Sequence, residues 1–204
     1  MKKWNELASK ASVAKAREAL KTNGIECYVV DNKDQARGKV LELLPMGTEV
    51  MTMTSRTLGS INIVGEINDS GRFSSVRNKL AAMENAGQEL EKKRLGAAPK
   101  WVIGSVHAVT ETGDVFIASN TGSQLPAYAY GSNHVIWVIG MQKIVQGKEE
   151  AFNRIYEYCL PLESERAKKA YGVSGSFVNK ILVVTREAQP GRITVIFVNE
   201  VLGF

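Results

Sequence analysis

The sequence predicts an α/β protein with a mostly parallel sheet and antiparallel hairpin elements. Short apolar strands alternate with helices along most of the chain, and strand–helix–strand units of this kind build parallel sheets with right-handed crossovers. The alternation is interrupted where two strand-like segments flank residues 111–113 and their glycine turn. We therefore expect a parallel sheet covered by helices, with a hairpin inserted into it.

The first half of the chain supplies parallel units. Asn23-Gly24 ends a basic, alanine-rich helix, and Asp31 or Asn32 can cap the next helix through a side-chain oxygen. Thr54 and Ser55 can cap a further helix in the same way. The predicted elements of this half are helix 3–22, strand 25–30, helix 32–44, strand 48–53, helix 56–63, helix 79–94 and strand 101–104.

The second half contains the hairpin and the most apolar strand. Residues 134–139, HVIWVI, are continuously hydrophobic, which is typical of a central parallel strand buried on both faces. Pro161 is expected to interrupt a long helix, and Pro190-Gly191 is a turn signal that predicts a closing hairpin. The remaining predicted elements are strands 106–110 and 114–118, helices 125–130, 148–158 and 162–171, loop 172–179, and strands 181–186 and 193–198.

Length and composition indicate one globular domain over residues 1–204. The chain is 44% hydrophobic and 23% charged, which argues against a disordered, collagen-like or disulfide-stapled protein. No apolar run approaches the roughly 20 residues of a membrane helix, and the amino terminus lacks signal-peptide features, so we expect a cytoplasmic protein without membrane contact. Cys27 and Cys159 lack metal-ligand spacing and are interpreted as buried free thiols.

Most of the net charge of +5 comes from the first 23 residues, which hold six basic and two acidic side chains. We expect residues 1–23 to form a basic helix that packs on or flanks the domain. Basic helices can dock on nucleic acid, but this one has no interleaved aromatic residues and no recognised binding motif. A solvated helix face is therefore favoured, and nucleic acid is a disfavoured partner.

Two neighbouring segments are the strongest candidates for chemistry, and we expect them to share one open crevice at the rim of the sheet. Glu111 is a carboxylate at a turn beside Gly113, and Asn120, Thr121, Gly122 and Ser123 precede a predicted helix. Backbone N–H groups at a helix start, together with the helix dipole, bind phosphate or carboxylate. The simpler alternatives are a solvated turn residue for Glu111 and an ordinary helix cap for residues 120–123.

Lys143 and Arg56 are further candidates for binding an anion. Each follows a predicted strand and so lies at the carboxyl edge of the sheet, where ligands of open α/β folds bind. Solvated side chains are the alternative for both. His107 could act as a general base or fill a strand position, and His134 is interpreted as structural. Without a GxGxxG motif, a P-loop or a His/Cys cluster, the sequence predicts no metal site and identifies no cofactor.

The combination of motifs resembles the LUD domain family, formerly DUF162, the LutC/YkgG-like lactate-utilisation group. The resemblance is carried by residues 106–155, VHAVTETGDVFIASNTGSQLPAYAYGSNHVIWVIGMQKIVQGKEEAFNRI, and by residues 192–204, RITVIFVNEVLGF. It implies a three-layer α/β/α fold of the NagB/RpiA/CoA transferase-like superfamily. Some similar proteins carry a cysteine-rich insertion where this chain has KAYGVSGSFVNK, without a cysteine, so the resemblance does not extend to a cluster-binding or metal role.

The resemblance implies three alternative functions. Some members assist lactate oxidation with iron–sulfur proteins, so the chain could bind a small anionic metabolite itself or serve as a non-catalytic subunit beside such partners. Related transferases use a glutamate before a glycine as an acyl acceptor, which Glu111 resembles, and sugar-phosphate isomerases bind phosphate at a loop that residues 120–123 resemble. Whether the protein is an enzyme, and whether it forms a homo-oligomer, are left open.

Overall fold

The structure, a computed structural model, describes residues 4–84 and 87–204. Its eight α-helices and ten strands alternate through most of the described chain. In chain order they are α1 (Lys10–Thr22), β1 (Glu26–Val30), α2 (Lys33–Leu43), β2 (Glu49–Thr52), α3 (Arg56–Ser60), α4 (Ile63–Asn68), β3 (Ser74–Ser75), α5 (Val76–Ala82), α6 (Glu89–Ala97), β4 (Trp101–Gly104), β5 (Ala108–Thr110), β6 (Val115–Ser119), β7 (His134–Gly140), β8 (Ile144–Val145), α7 (Lys148–Arg154), α8 (Leu160–Tyr171), β9 (Lys180–Val184) and β10 (Ile193–Val198).

A six-stranded parallel sheet forms the centre of the molecule, in the order β1-β10-β7-β4-β2-β3. Alternate residues of β7 pack into two different cores, because successive side chains of a strand point to opposite faces. Trp137 joins α1 in one core, and Ile136 and Val138 join α2 in the other. The predicted α/β/α class and the central position of the most apolar strand are therefore confirmed.

The predicted hairpin forms, but it lies in a second sheet. Strands β5 and β6 pair antiparallel as expected, within a four-stranded sheet of order β8-β5-β6-β9. The expectation that this hairpin is inserted into the parallel sheet is wrong. Its strands are buried on both faces because they pack between the first core and a third, which contains Phe116 and Ile155.

The expected closing hairpin of the last two strands is also wrong. Strand β9 pairs with β6 in the second sheet, whereas β10 lies between β1 and β7 in the first. Burial explains the separation, because the nearly fully buried β10 suits a central position and the half-exposed β9 suits an edge. Arg192 anchors the start of β10 by donating to the carbonyl oxygens of Tyr128 and Ser132.

Three predicted helices differ from the structure. The helix predicted over residues 56–63 ends at Ser60, because Asn62 adopts a left-handed conformation with φ of 53° before α4 begins. The charged helix predicted over residues 79–94 is two helices, α5 and α6, and residues 85 and 86 between them lie outside the described part of the chain. The basic helix predicted over residues 3–22 begins only at Lys10, and residue 3 itself lies outside the described part of the chain.

Pro161 does not interrupt the long helix as expected. The chain stays helical from Lys148 to Tyr171, with a π-helical turn at Ile155–Cys159 immediately before α8. Pro161 is the second residue of α8 and lies inside this continuous stretch, directly after the π-helical turn. Among residues 4–84 and 87–204, no helix is both long enough and apolar enough to cross a bilayer.

Candidate functional site

A cavity of about 1180 Å³ opens at the carboxyl edge of the parallel sheet. Three strands deliver residues to it: Thr54 follows β2, Ser105 follows β4, and Lys143 ends a short 3-10 turn after β7. The second sheet contributes the segment after β6, and α5, α6 and α8 complete the wall. Carboxyl ends of parallel strands are the usual ligand site of open α/β folds, so this cavity is the candidate functional site.

Lys143 lies in the wall of this cavity and is 2% exposed. Its ammonium nitrogen is 3.1 Å from each of three oxygen atoms, namely Thr57 Oγ1, Ser105 Oγ and the Val106 carbonyl oxygen. Burial, followed by the charge of Arg154, lowers the pKa of Lys143 to about 7. The alternative of a solvated surface lysine is therefore wrong, and the side chain is partly neutral at physiological pH.

Arg154 is a second buried cation, near Lys143 at the end of α7. It donates to the His107 carbonyl oxygen and to Cys159 Sγ, at 3.0 Å from the sulfur, and its guanidinium lies over the Tyr158 ring. Its Nε and Nη2 atoms have no hydrogen-bond partner within the described residues. Burial lowers the pKa of Arg154 and raises the pKa of the Cys159 thiol. The π-helical turn brings Cys159 to this cation and to the cavity wall.

His107 also lines the cavity, where its ring is uncharged. Burial and the nearby charges of Lys143 and Arg154 lower the pKa of His107 to about 3. Its Nδ1 atom accepts a hydrogen bond from the Ala118 backbone N–H at 3.1 Å, so the neutral ring carries its proton on Nε2. His134 instead stacks on Trp101, with ring centroids 4.1 Å apart, in agreement with a structural role.

The segment Asn120–Ser123 lines the cavity as well. Two of its backbone N–H groups already have local acceptors: Gly122 donates to Ser119 Oγ at 2.8 Å, and Ser123 donates to Thr121 Oγ1 at 3.3 Å. The helical turn that follows, Ala127–Gly131, is short and π-helical. The segment therefore has the hydrogen bonds of a local cap, and its role in holding an anion stays a prediction.

Glu111 does not line the large cavity. It borders a separate recess of about 180 Å³ beside Gln142 and Gln146, and its carboxylate pairs with Lys15 of α1 at 2.8 Å. The expectation that Glu111 and residues 120–123 share one crevice is thus wrong, because the hairpin tip turns toward α1. Asn23 of the same region donates to the Thr112 carbonyl oxygen and holds the tip there. A catalytic role for Glu111 stays a prediction, and residues 120–123, which were expected beside it, line the other cavity.

The wall of the cavity carries an excess of positive charge. Arg77 is held at the end of β2 by hydrogen bonds to the Thr52 carbonyl oxygen at 2.7 Å and to Thr54 Oγ1 at 3.1 Å. Glu163 is the acidic residue among the described lining side chains, and Arg166 engages it through two hydrogen bonds of 2.6 and 2.7 Å. Further basic residues in the wall are Arg56, Lys92, Lys93 and Lys143.

Several residues at this site lay outside the sequence-based candidates: Ser105, Thr57, Arg77, Tyr128 and Arg154. Ser105 had a usable signal, because it follows a predicted buried strand just as Arg56 and Lys143 do. Arg154 and Tyr128 had none, since their positions depend on the π-helical turns and on how α7 packs against the second sheet.

The fold and the cavity define an α/β/α protein with a ligand-sized, cation-lined pocket at the carboxyl edge of its parallel sheet. The LUD domain profile matches residues 13–198, so the chain belongs to the LUD domain family, which is associated with lactate utilisation. The boundaries of a single domain over residues 1–204 stay a prediction.

A solved structure described as a DUF162 family protein from Deinococcus radiodurans is similar to this chain. The two share 13% sequence identity and superpose with a TM-score of 0.58, over 95% of this chain and 100% of the other. At that identity the likeness concerns the fold. No curated protein matches the sequence.

Proposed function

We propose that this LUD domain binds an anionic metabolite, a carboxylate or a phosphate-bearing compound, in the large cavity. The observation that carries the proposal is the excess of cationic side chains over carboxylates in the cavity wall. Glu163 is already engaged by Arg166, so Arg77, Lys93 and Arg56 add net positive charge that a bound anion would offset.

The position of these cations suits recognition of a ligand. Arg77 is fixed by two hydrogen bonds to the end of β2, and Lys143 is fixed by three oxygen neighbours, so both are preorganised before a ligand arrives. The guanidinium of Arg77, which lines the cavity, is therefore the expected contact for the charged group of the ligand.

The size and lining of the cavity favour a ligand larger than lactate. A lactate ion would fill a small part of 1180 Å³, whereas the apolar wall offers contacts to a larger group. Met51, Met53, Leu80, Phe177 and Phe204 form that apolar part of the wall. A cytoplasmic location and a link to lactate utilisation complete the proposal, with lactate-derived carboxylates as one ligand class among the anions to be tested.

Isothermal titration calorimetry with lactate, pyruvate, coenzyme A and sugar phosphates tests the proposal. We expect at least one of them to bind the wild-type protein, and Arg77→Met to weaken that binding about 10- to 100-fold, the effect of losing one charge-assisted hydrogen bond. Arg94→Met is the matched control, because Arg94 lies outside the cavity wall and pairs with Glu91 on the surface of α6.

Two further variants locate the site. A Cβ atom at Gly122 would lie 2.7 Å from Lys180 Cδ, at a φ of +87°, so Gly122→Val should disturb the loop and weaken binding if residues 120–123 contribute. Loss of binding in Glu111→Gln, with Arg77→Met unaffected, would instead move the site to the smaller recess and contradict the proposal.

A further inference from the structure

A serine and a lysine meet within the cavity at hydrogen-bond distance. Ser105 follows the last residue of β4, and its Oγ atom is 3.1 Å from Lys143 Nζ. Ser105 is half-buried, and both residues line the cavity, so a bound molecule can reach the hydroxyl group. Serine–lysine acyl-transfer sites have the same arrangement, in which a serine nucleophile is hydrogen-bonded to a lysine base and a third group holds the base in place.

The hydrogen bonds around Lys143 show which of its three oxygen neighbours act as acceptors. Thr57 Oγ1 donates its own hydrogen to the Leu202 carbonyl oxygen at 3.1 Å, so toward Lys143 it acts as an acceptor. The Val106 carbonyl oxygen is also an acceptor. When Lys143 is an uncharged amine, two N–H groups bond to these acceptors and the nitrogen lone pair faces Ser105, whose hydroxyl hydrogen can point toward it.

The surroundings of Lys143 favour the uncharged amine that a base requires. Its pKa is lowered to about 7 by burial, with the charge of Arg154 acting in the same direction. Burial keeps the other two titratable neighbours uncharged, since it lowers the pKa of His107 and raises that of Cys159. A lysine whose pKa lies near the working pH is suited to general-base catalysis.

Tyr128 supplies a hydrogen-bond donor beside the serine. Gly104 allows the approach, because a Cβ atom there would lie 1.7 Å from the Tyr128 hydroxyl oxygen. Burial raises the pKa of the Tyr128 phenol, and the nearby Ser105 backbone only partly offsets this, so the phenol keeps its proton. The phenolic hydrogen is then available to the oxygen of a carbonyl group bound at Ser105.

We propose that Ser105 is a nucleophile and Lys143 its general base, and that together they transfer an acyl group from an ester or thioester of an anionic compound. Ser105 Oγ attacks the carbonyl carbon as its proton moves to Lys143 Nζ, and the carbonyl oxygen becomes an oxyanion stabilised by Tyr128. The intermediate then breaks its bond to the alcohol or thiol, which leaves with the proton from Lys143. Water then attacks the acyl carbon of the ester at Ser105 as one of its protons moves to Lys143 Nζ. The bond from this carbon to Ser105 Oγ breaks, Lys143 returns the proton to Oγ, and the acid is released.

The proposal uses the same cavity as anion binding but is tested separately. A fluorophosphonate probe reacts with activated serines, and peptide mapping identifies the labelled residue. We expect the probe to label Ser105 in the wild-type protein, at a rate that rises as the pH passes about 7, where Lys143 becomes uncharged. Lys143→Met should slow labelling by at least about 100-fold, and Ser105→Ala should abolish it.

Ser60→Ala and Lys33→Met are matched controls, because both residues are exposed and outside the cavity wall, and they should be labelled as the wild type is. No labelling of wild-type Ser105 at about pH 8, or labelling that is independent of pH, would overturn the proposal even if Lys143→Met does not fold. Calorimetry on Ser105→Ala separates the two proposals, since anion binding should survive loss of the hydroxyl group.

Discussion

At the scale of single residues, the site depends on ionisable groups that burial holds in their uncharged forms. His107 and Lys143 lie beside the cavity with Arg154 near both, and burial is the largest cause of the lowered pKa of each group. A group whose pKa is lowered on folding binds fewer protons in the folded state, so acidification favours unfolding. The lowered pKa values of His107 and Lys143 therefore make the folded protein less stable as the pH falls.

His107 is expected to make the free energy of unfolding depend on pH. Its pKa falls from 6.5 to about 3 on folding, so its contribution is fully present above about pH 6.5 and is lost as the pH falls below that value. The slope approaches about 1.4 kcal/mol per pH unit within this window. The free energy of unfolding, measured with urea between pH 6.5 and 5, should change less steeply with pH in His107→Gln than in the wild type. An unchanged dependence on pH would contradict the lowered pKa of His107.

The second prediction concerns the ion pair of Arg192 with Glu187, whose side chains are 5% and 12% exposed. Arg192→Met leaves the Glu187 carboxylate without this partner and also removes donors to the Tyr128 and Ser132 carbonyl oxygens. We expect the free energy of unfolding to fall by about 3–5 kcal/mol in chemical denaturation.

Arg94 provides the comparison for this pair. It bonds to Glu91 on the surface of α6, with side chains 66% and 58% exposed, so Arg94→Met should cost less than about 1 kcal/mol. Equal losses for the two variants would show that burial does not set the strength of the Arg192 pair.

At the scale of elements, local signals account for most helices and strands. Asn32 shows how, because its Oδ1 atom accepts the backbone N–H groups of Asp34 and Gln35 at 3.1 and 3.0 Å and starts α2 where the sequence predicts. A short polar residue before an apolar segment is readable from sequence alone.

The third prediction tests this cap. Asn32→Ala should lower the free energy of unfolding by about 1 kcal/mol, because two N–H groups at the start of α2 lose their acceptor. Asn32→Asp is the matched control and should stay close to the wild type, since a carboxylate accepts the same hydrogen bonds. Thermal unfolding checks both, and an equal loss in the two variants would contradict the capping role.

Partners between elements were harder to predict than the elements themselves. The turn at Pro190-Gly191 indicates a change of direction, yet β9 and β10 enter different sheets because their burial differs and because Arg192 ties β10 to the segment before β7. A turn residue reports the local backbone and carries no information about which strand a segment will join. The same limit applies to Glu111, whose hairpin was predicted while its contact with Lys15 of α1 was not.

The sequence predicts only part of the candidate site, because only some of its residues directly follow a predicted strand. Lys143 and Arg56 were identified from their place after strands, and the structure puts both in the wall of the cavity. Arg77 reaches the wall from α5, and Arg154 of α7 contacts the lining residue His107 through its carbonyl oxygen, so no local motif marks either of them. Their functions in binding stay predictions for the experiments above.

At the scale of the whole molecule, basic residues are concentrated in two places, the amino-terminal segment and the cavity wall. The amino-terminal segment carries much of the formal net charge of +5, and α1 uses Lys15 to pair with Glu111. The cavity carries a second set of cations at the carboxyl edge of the sheet. Docking of the first 23 residues on an iron–sulfur partner stays a prediction, whereas the cavity is the region that the geometry favours for a small anion.

We propose that the basic residues at the carboxyl edge of the parallel sheet bind an anionic ligand. A crystal structure of the protein with the tightest-binding compound from the calorimetric panel tests it most directly. We predict that the charged group of the ligand lies within hydrogen-bond distance of Arg77, inside the large cavity. A ligand bound in the recess beside Glu111 or on the face of α1, with the large cavity empty, would contradict the account.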